Sequence, residues 1–205
     1  MKFDLHTHTT LSACSSLDAR DLIDAAGKAG LDGVCITDHQ TMAIDRHITE
    51  GRQANGIVVI IGMEYATPDG DFLIFGPISR IPENLSADAL LTEVDNCGGV
   101  AIAAHPFRKD RPVSETVVRD GKCTIMETIN GRNSVLEDLK TSQWRKRYGL
   151  TETGGSDAHT PPEVGAAFTR FYTPVYSHAD LVHALKNGLC QPEWNAQPAC
   201  TRQHS

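Results

Sequence analysis

Met1-Lys2-Phe3-Asp4-Leu5-His6-Thr7-His8 opens the chain as a short strand that runs out into two histidines. Successive side chains of a strand point to opposite faces, so His6 and His8 share one face. Two imidazoles on one face at a strand end supply half of a metal site. The pair alone also fits two half-exposed polar side chains, so the reading turns on whether later strands end in matching groups.

Working outward, they do. Gly33-Val34-Cys35-Ile36-Thr37-Asp38-His39 is a short apolar run that stops on polar groups. Ile57-Val58-Val59-Ile60-Ile61 is a continuous β-branched run, of the kind buried on both faces in a parallel sheet, and it ends at Gly62-Met63-Glu64. Phe72-Leu73-Ile74-Phe75 is a further strand. Val100-Ala101-Ile102-Ala103 leads into Ala104-His105-Pro106, and Cys123-Thr124-Ile125-Met126 ends on Glu127. Residues 150–153 run into Gly154-Gly155-Ser156-Asp157-Ala158-His159, and residues 168–173 read as the last strand. Helices are expected over residues 17–29, 43–54, 86–96, 134–148 and 179–186. The fourth is the best marked: Ser134 and Glu137 form a capping-box pattern, Arg145, Lys146 and Arg147 occupy the last turn, and Gly149 lies just beyond. This alternation is the pattern of an α/β fold with parallel strands.

The 205 residues fit one domain, and an apolar fraction of 40% with 22% charged residues is that of an ordinary globular protein. Residues 1–190 are read as the domain and residues 191–205, with two prolines and few aliphatics, as a loosely ordered tail. A net charge of −7 argues against a large electropositive footprint for duplex nucleic acid. It leaves room for a small phosphorylated ligand, because bound cations can supply local positive charge. Six cysteines (Cys14, Cys35, Cys97, Cys123, Cys190, Cys200) without a Cys-x-x-Cys fit reduced thiols better than a disulfide framework. Charged Lys2 and Asp4 bracket the start, and no run of about 18 apolar residues occurs, so a cytoplasmic protein without membrane association is expected. Oligomeric state is not legible.

In parallel α/β folds the carboxyl ends of the strands share one face, and that face carries the active site. His6, His8, Asp38, His39, Glu64, His105, Glu127, Asp157 and His159 would therefore converge around one mouth. Singly, each has an ordinary reading: Asp38 as a helix cap, Glu127 as a solvated strand end, Asp157 as a turn residue. Their recurrence at one structural position points to a metal site. Imidazole mixed with carboxylate, without thiolate, suits Zn²⁺, Mn²⁺ or Fe²⁺ better than Ca²⁺. One tetrahedral ion needs fewer ligands than this, so two or three divalent ions sharing a bridging carboxylate are expected, with Glu64 the most central candidate for the bridge.

With these residues in view the chain resembles the PHP (polymerase and histidinol phosphatase) family of metal-dependent phosphoesterases. The matching stretches are Asp4-Leu5-His6-Thr7-His8-Thr9, Ile36-Thr37-Asp38-His39, Gly62-Met63-Glu64, Ala104-His105-Pro106 and Gly155-Ser156-Asp157-Ala158-His159. The resemblance implies a distorted seven-stranded β/α barrel with its metal site at the carboxyl ends of the strands. It further implies that His6, His8, Glu64 and Asp157 hold a first ion, that Glu64 bridges to a second bound by His105, and that His39 and His159 belong to a third. Two positions depart from the family pattern: Ala13 and Cys14 follow the first pair where an Asp or His is common, and Asp71 stands where a histidine is common and could itself be a ligand.

The function so implied is hydrolysis of a phosphoester of a small phosphorylated metabolite or nucleotide by a metal-bound hydroxide. His159 or Asp38 would shuttle protons or orient a ligand. Arg108, Lys109 and Arg132 follow strand ends and are candidates for the outer phosphate oxygens. Asn130-Gly131-Arg132-Asn133 adds a tight turn before a helix N-terminus, where anions are favoured. A 3′–5′ exonuclease, an amidohydrolase cleaving C–N bonds, and a non-catalytic metal-stabilised module are the alternatives.

Overall fold

A computed structural model describes residues 1–46, 48–78 and 81–195; His47, residues 79–80 and residues 196–205 of the tail lie outside the described part. The chain runs β1 (Lys2–Asp4), α1 (Ala19–Lys28), β2 (Gly33–Ile36), β3 (Gly51–Arg52), β4 (Val58–Ile61), β5 (Met63–Thr67), β6 (Gly70–Phe75), α2 (Ala87–Asn96), β7 (Val100–Ala103), α3 (Glu115–Arg119), β8 (Ile125–Asn130), α4 (Val135–Tyr148), β9 (Thr151–Gly155), β10 (Ala167–Phe171), α5 (His178–Lys186) and β11 (Cys190–Trp194).

The strands form two mixed sheets, one of six in the order β11-β10-β1-β2-β4-β3 and one of five in the order β5-β6-β7-β8-β9. The expected single seven-stranded barrel is thus corrected: the fold is mixed α/β, and no closed barrel is found among the described residues. β1, β2 and β4 are parallel, as are β7, β8 and β9, but antiparallel pairs lie at β3–β4, β5–β6–β7 and β1–β10–β11. The physical reason begins at Gly62. The chain leaves β4 there and continues at once into the β5–β6 hairpin of the other sheet, without a crossover helix.

Period-two burial explains the composition of the central strands. Phe3, Cys35, Val58 and Ile60 pack into one core with Leu73, Phe75 and Ile102 of the second sheet. Their neighbours Val34, Ile36, Val59 and Ile61 turn the other way, under Leu22, Ile23 and Ala26 of α1. A strand covered on both faces needs apolar residues at every position, and Val58–Ile61 has them. Each such side chain contributes about 1.5–3 kcal/mol of burial as an upper estimate. A third cluster covers the outer face of the second sheet with Phe72 and Ile74 against Leu90 and Val94 of α2.

The helix ends follow local chemistry. Asp18, Ser86 and Ser177 cap α1, α2 and α5, and α4 carries the full Ser134–Glu137 capping box with Gly149 left-handed at φ 64°. The helix expected over residues 43–54 is not formed: a 3₁₀ turn at Ala43–Arg46 and the strand at Gly51–Arg52 replace it. The loose tail is also corrected as far as Trp194, since β11 pairs with β10 from Phe171↔Cys190 to Ala167↔Trp194. An edge position tolerates Pro192, which lacks an N–H for the ladder. No helix among the described residues is long and apolar enough to cross a membrane, and the five described cysteines are free thiols.

Candidate metal centre

Two single bridges tie the sheets together, Thr7↔Ala158 just past β1 and β9, and His39↔Glu64 between the segment after β2 and the start of β5. Each sits within the site. Asp157 N donates to His6 O at 2.8 Å and His8 N to Ala158 O at 2.9 Å, which fixes the segment after β9 beside the segment after β1. On the other seam Gln40 N donates to Glu64 O at 2.9 Å, bringing His39 beside Glu64. His105 and Asp157 hold φ values of 26° and 56°, a left-handed backbone that costs about 1–3 kcal/mol per residue and persists where surroundings over-determine it.

Four donor atoms meet at the centre. His6 Nε2 and His8 Nε2 are 3.1 Å apart. Glu64 Oε2 lies 3.6 Å from the first and 3.4 Å from the second. Asp157 Oδ1 lies 3.5 Å and 3.3 Å from the same two nitrogens. Neighbouring donors bound to one ion at about 2.0–2.2 Å stand roughly 3–3.6 Å apart, so these spacings fit a divalent cation among them. Glu64 also receives His105 Nε2 on Oε1 and His39 Nδ1 on Oε2, both at 2.8 Å, and so touches four imidazoles. Three groups could hold an ion: His6–His8–Asp157, His6–Glu64–His105 and His8–His39–His159. All are buried except His39, at the rim.

A second layer sets these ligands. Glu127 is buried inside β8, away from solvent, and its Oε1 accepts from His6 Nδ1 at 3.1 Å. That contact puts the ring proton on Nδ1 and leaves the Nε2 lone pair facing the centre. Glu127 Oε2 accepts from His105 N and from Asn130 Nδ2, each at 2.9 Å. Asp4, equally buried, accepts from Ser156 N at 2.8 Å and Gly165 N at 2.9 Å, which anchors the Asp157 loop to β1.

Two residues with expected roles are committed to protein contacts. Asp38, expected to shuttle protons or orient a ligand, is a buried bracket: Thr9 N at 2.7 Å, Thr9 Oγ1 at 2.6 Å and Ser12 Oγ at 2.6 Å donate to its oxygens, and Ser12 Oγ also lies 3.4 Å from His8 Nδ1. Asn130, expected to bind substrate, is buried with its amide committed, Oδ1 accepting from Arg108 Nη2 at 3.1 Å and Arg132 N at 2.9 Å.

A cavity of about 390 Å³ opens on the centre, lined by Cys14, His39, Glu64, Asp71, His105, Arg108, Arg111, Arg132, Asp157 and His159. Asp71 reaches it but is held bidentate by Arg111, at 2.6 Å on each oxygen, and joins none of the three groups. Arg108 Nη1 pairs with Asp157 Oδ2 at 2.7 Å, and Arg132 Nη1 with His159 Nδ1 at 2.7 Å. The sequence does not single out Arg111: its one signal, a basic loop after His105, does not show that it meets Asp71 across 40 residues. Lys109 is exposed and does not line the cavity.

The electrostatics are those of a cation site. Burial works against the charged form of Glu64 and Asp157, yet His6 and its neighbours hold both well below the usual carboxylate range. Burial likewise opposes charge on His6, but Asp157, Glu127 and Glu64 together raise it well above the ordinary imidazole value, so that in the metal-free chain Nε2 holds a proton that a bound cation would replace. Burial lowers His8 and His159, favouring neutral rings able to donate a lone pair.

Residues 4–130 match the PHP domain, and residues 138–190 match the PHP-associated family. The chain belongs to the PHP family. Among its relatives is the uncharacterized protein MJ0417 of Methanocaldococcus jannaschii, 30% identical over 179 residues that cover 83% of this chain and 70% of that one. PsfC from Pseudomonas syringae shares the fold with a TM-score of 0.77 at 20% identity, over 96% of this chain and 92% of its own. A two-domain protein from Bacteroides vulgatus containing a predicted PHP-like metal-dependent phosphoesterase does so at 0.73 and 20% identity, over 95% of this chain and 65% of its own.

Proposed function

We propose that this PHP protein is a phosphoesterase that hydrolyses a small phosphorylated metabolite or nucleotide with the help of two or three divalent ions, Zn²⁺, Mn²⁺ or Fe²⁺. One observation carries the reading: the donor atoms of His6, His8, Glu64 and Asp157 stand at ion-sharing distances, and Glu64 and Asp157 line a cavity whose walls carry Arg108, Arg111 and Arg132. A cation-binding floor beneath guanidiniums suits a tetrahedral oxyanion ester.

His6, His8, Glu64 and Asp157 would hold one ion, Glu64 and His105 a second, and His8, His39 and His159 a third. Bound ions would supply an activated water and offset the charge that develops on phosphate oxygens. The protein's own groups do the rest. Arg132 and Arg111 face the cavity with nitrogens left over after binding His159 Nδ1 and Asp71, and these can take the outer oxygens of a phosphate. With two ions bound and the third group empty, His159, kept neutral, is the cavity imidazole able to hold or pass a proton through Nε2, which faces Cys14 Sγ at 3.2 Å. The acidic chain, with a net charge of −7, favours a small substrate over a nucleic-acid strand.

The test is release of inorganic phosphate from a panel of phosphomonoesters and phosphodiesters by protein stripped and then reloaded with Mn²⁺, Zn²⁺ or Fe²⁺. Metal-dependent release supports the proposal. Ammonia from amides would make the protein an amidohydrolase, shortening of a labelled oligonucleotide an exonuclease, and inactivity across the loaded panel a binding module.

A further inference from the structure

Arg108 lies at the cavity wall, where a cation is readily read as a phosphate ligand, but its guanidinium is engaged from behind. Nη1 meets Asp157 Oδ2 at 2.7 Å and Nη2 donates to Asn130 Oδ1 at 3.1 Å. Asn130 Nδ2 donates to Glu127 Oε2 at 2.9 Å, and Glu127 Oε1 accepts from His6 Nδ1 at 3.1 Å. His6 Nε2 then faces Asp157 Oδ1 at 3.5 Å, closing a ring of five residues: Arg108, Asn130, Glu127, His6 and Asp157. Two of the five, His6 and Asp157, belong to one candidate ion group.

The two oxygens of Asp157 therefore have separate duties. Oδ1 is turned to His6 Nε2 and His8 Nε2, and Oδ2 is turned to Arg108. We infer that Arg108 is a positioning residue that restricts Asp157 to ligation through one oxygen and, through Asn130 and Glu127, holds His6 in register with it. This inference rests on the metal-site reading above and replaces the substrate-contact role expected of Arg108. A planar guanidinium can span Asp157 and Asn130 at once, which a lysine ammonium on a flexible stem cannot do with the same geometry. Partners behind metal ligands of this kind typically contribute about 10–100-fold in metal affinity.

The experiment uses the full chain, stripped of metal and titrated with Co²⁺, following binding and the visible d–d spectrum. The variants are Arg108→Lys, Arg108→Met and Arg111→Met. Arg108→Lys decides, because it keeps the positive charge and removes only the fork. It should bind Co²⁺ about 10–100-fold more weakly, with a changed band intensity as the freed Oδ2 joins the coordination sphere. Arg108→Met should change the spectrum in the same direction, and Arg111→Met, whose partner Asp71 lies outside the three groups, should titrate like the parent. Parental affinity and spectrum in Arg108→Lys would overturn the inference, and a raised KM alone would return Arg108 to the substrate. Failure of the parent protein to bind Co²⁺ would instead overturn the metal-site reading itself. If Arg108→Met does not fold, as judged by circular dichroism, the lysine variant still decides between the two roles.

Discussion

His6 Nε2 and His8 Nε2 face each other across 3.1 Å, and each also lies within 3.6 Å of Glu64 Oε2 and Asp157 Oδ1. Period two puts the two rings on one face, and the bridges to Ala158 and Glu64 bring the carboxylates to meet them. Buried like-directed lone pairs and carboxylates are held together most readily by a cation. Saturating Mn²⁺ or Zn²⁺ should therefore stabilise the protein, by about 2.7 kcal/mol at a hundred times Kd. His8→Ala should abolish most of that gain and all turnover while leaving a folded chain. Differential scanning calorimetry with and without metal checks this, and an equal metal-induced rise in Tm for parent and variant would contradict it.

Glu127 contributes through His6. It is buried and ties His6 Nδ1, His105 N and Asn130 Nδ2 to one carboxylate. Glu127→Gln keeps the volume but can present an amide N–H where an acceptor is needed, so the His6 tautomer is no longer fixed. Metal affinity should fall about 10–100-fold, read by competition against a chromogenic chelator. Unchanged competition would show that the carboxylate charge does not set the ring.

How much of the fold and the site is legible in the sequence follows from which contacts are local. The His6–His8 pair, the Val58–Ile61 run and the Ser134–Glu137 box announce themselves through periodicity and capping chemistry over a few residues. Asp38 follows an apolar run and Asp157 a short polar segment, and each reads in sequence as a strand-end carboxylate near a histidine. They differ in what surrounds them: Thr9 and Ser12 hydroxyls close on Asp38, while imidazoles close on Asp157. The Asp71–Arg111 pair depends on a contact across 40 residues set by the tertiary fold, whereas the β5–β6 hairpin is local and closes at Pro68-Asp69-Gly70. β11, with Pro192 in its middle, carries a composition that argues for a loop, and only its edge position makes it a strand.

Arg132 sits in the turn between β8 and α4 and reaches His159 with one terminal nitrogen. Charge-assisted bonds to a phosphate oxygen contribute about 1.5–3 kcal/mol. Arg132→Ala should accordingly raise KM for an active phosphoester about 10–100-fold without loss of the ion between His6, His8 and Asp157. Steady-state kinetics with parallel metal analysis separates the two effects, and unchanged KM would leave Arg132 a solvated loop charge.

Asp4 makes stability depend on pH. Burial pushes its carboxyl up to about 6 from an ordinary 3.8, despite the opposing donors Ser156, Gly165 and His6. The folded state thus holds the proton more tightly than the unfolded chain. The associated stability is fully present below about pH 4 and is lost as pH rises through about 6. A shift of about two units corresponds to roughly 3 kcal/mol as an upper figure. Glu64 and Asp157 act in the opposite sense, so the readable quantity is a difference. In urea unfolding of metal-free protein between pH 4 and 7, the parent should lose more stability with rising pH than Asp4→Asn. Parallel curves would place Asp4 at its ordinary value.

Gly155 carries the last prediction, because it is where the β9 end presses against the first ligand. A Cβ there would lie 2.5 Å from His6 Cβ, 2.9 Å from Glu127 Oε1 and 2.9 Å from His6 N. None of these is a flexible tip: the His6 atoms are anchored in the main chain, and the Glu127 oxygen is buried and hydrogen-bonded. Gly155→Ala must therefore push β9 away from the segment after β1, straining the Asp157 N to His6 O bond of 2.8 Å that joins the two halves of the ion group. Overpacking of this kind typically costs about 1–3 kcal/mol, and here the displacement falls on His6, Glu127 and Asp157 together. Gly27, inside α1, is the contrasting case: a Cβ there meets only Asn55 Nδ2 at 3.7 Å. Gly27→Ala should stabilise the protein by about 0.4–1 kcal/mol through helix propensity and a less flexible unfolded chain. Urea midpoints should thus move in opposite directions for the two variants, and only Gly155→Ala should also weaken metal binding. A Gly155→Ala protein that is destabilised yet binds metal at parental affinity would show that the seam and the ion group are mechanically independent.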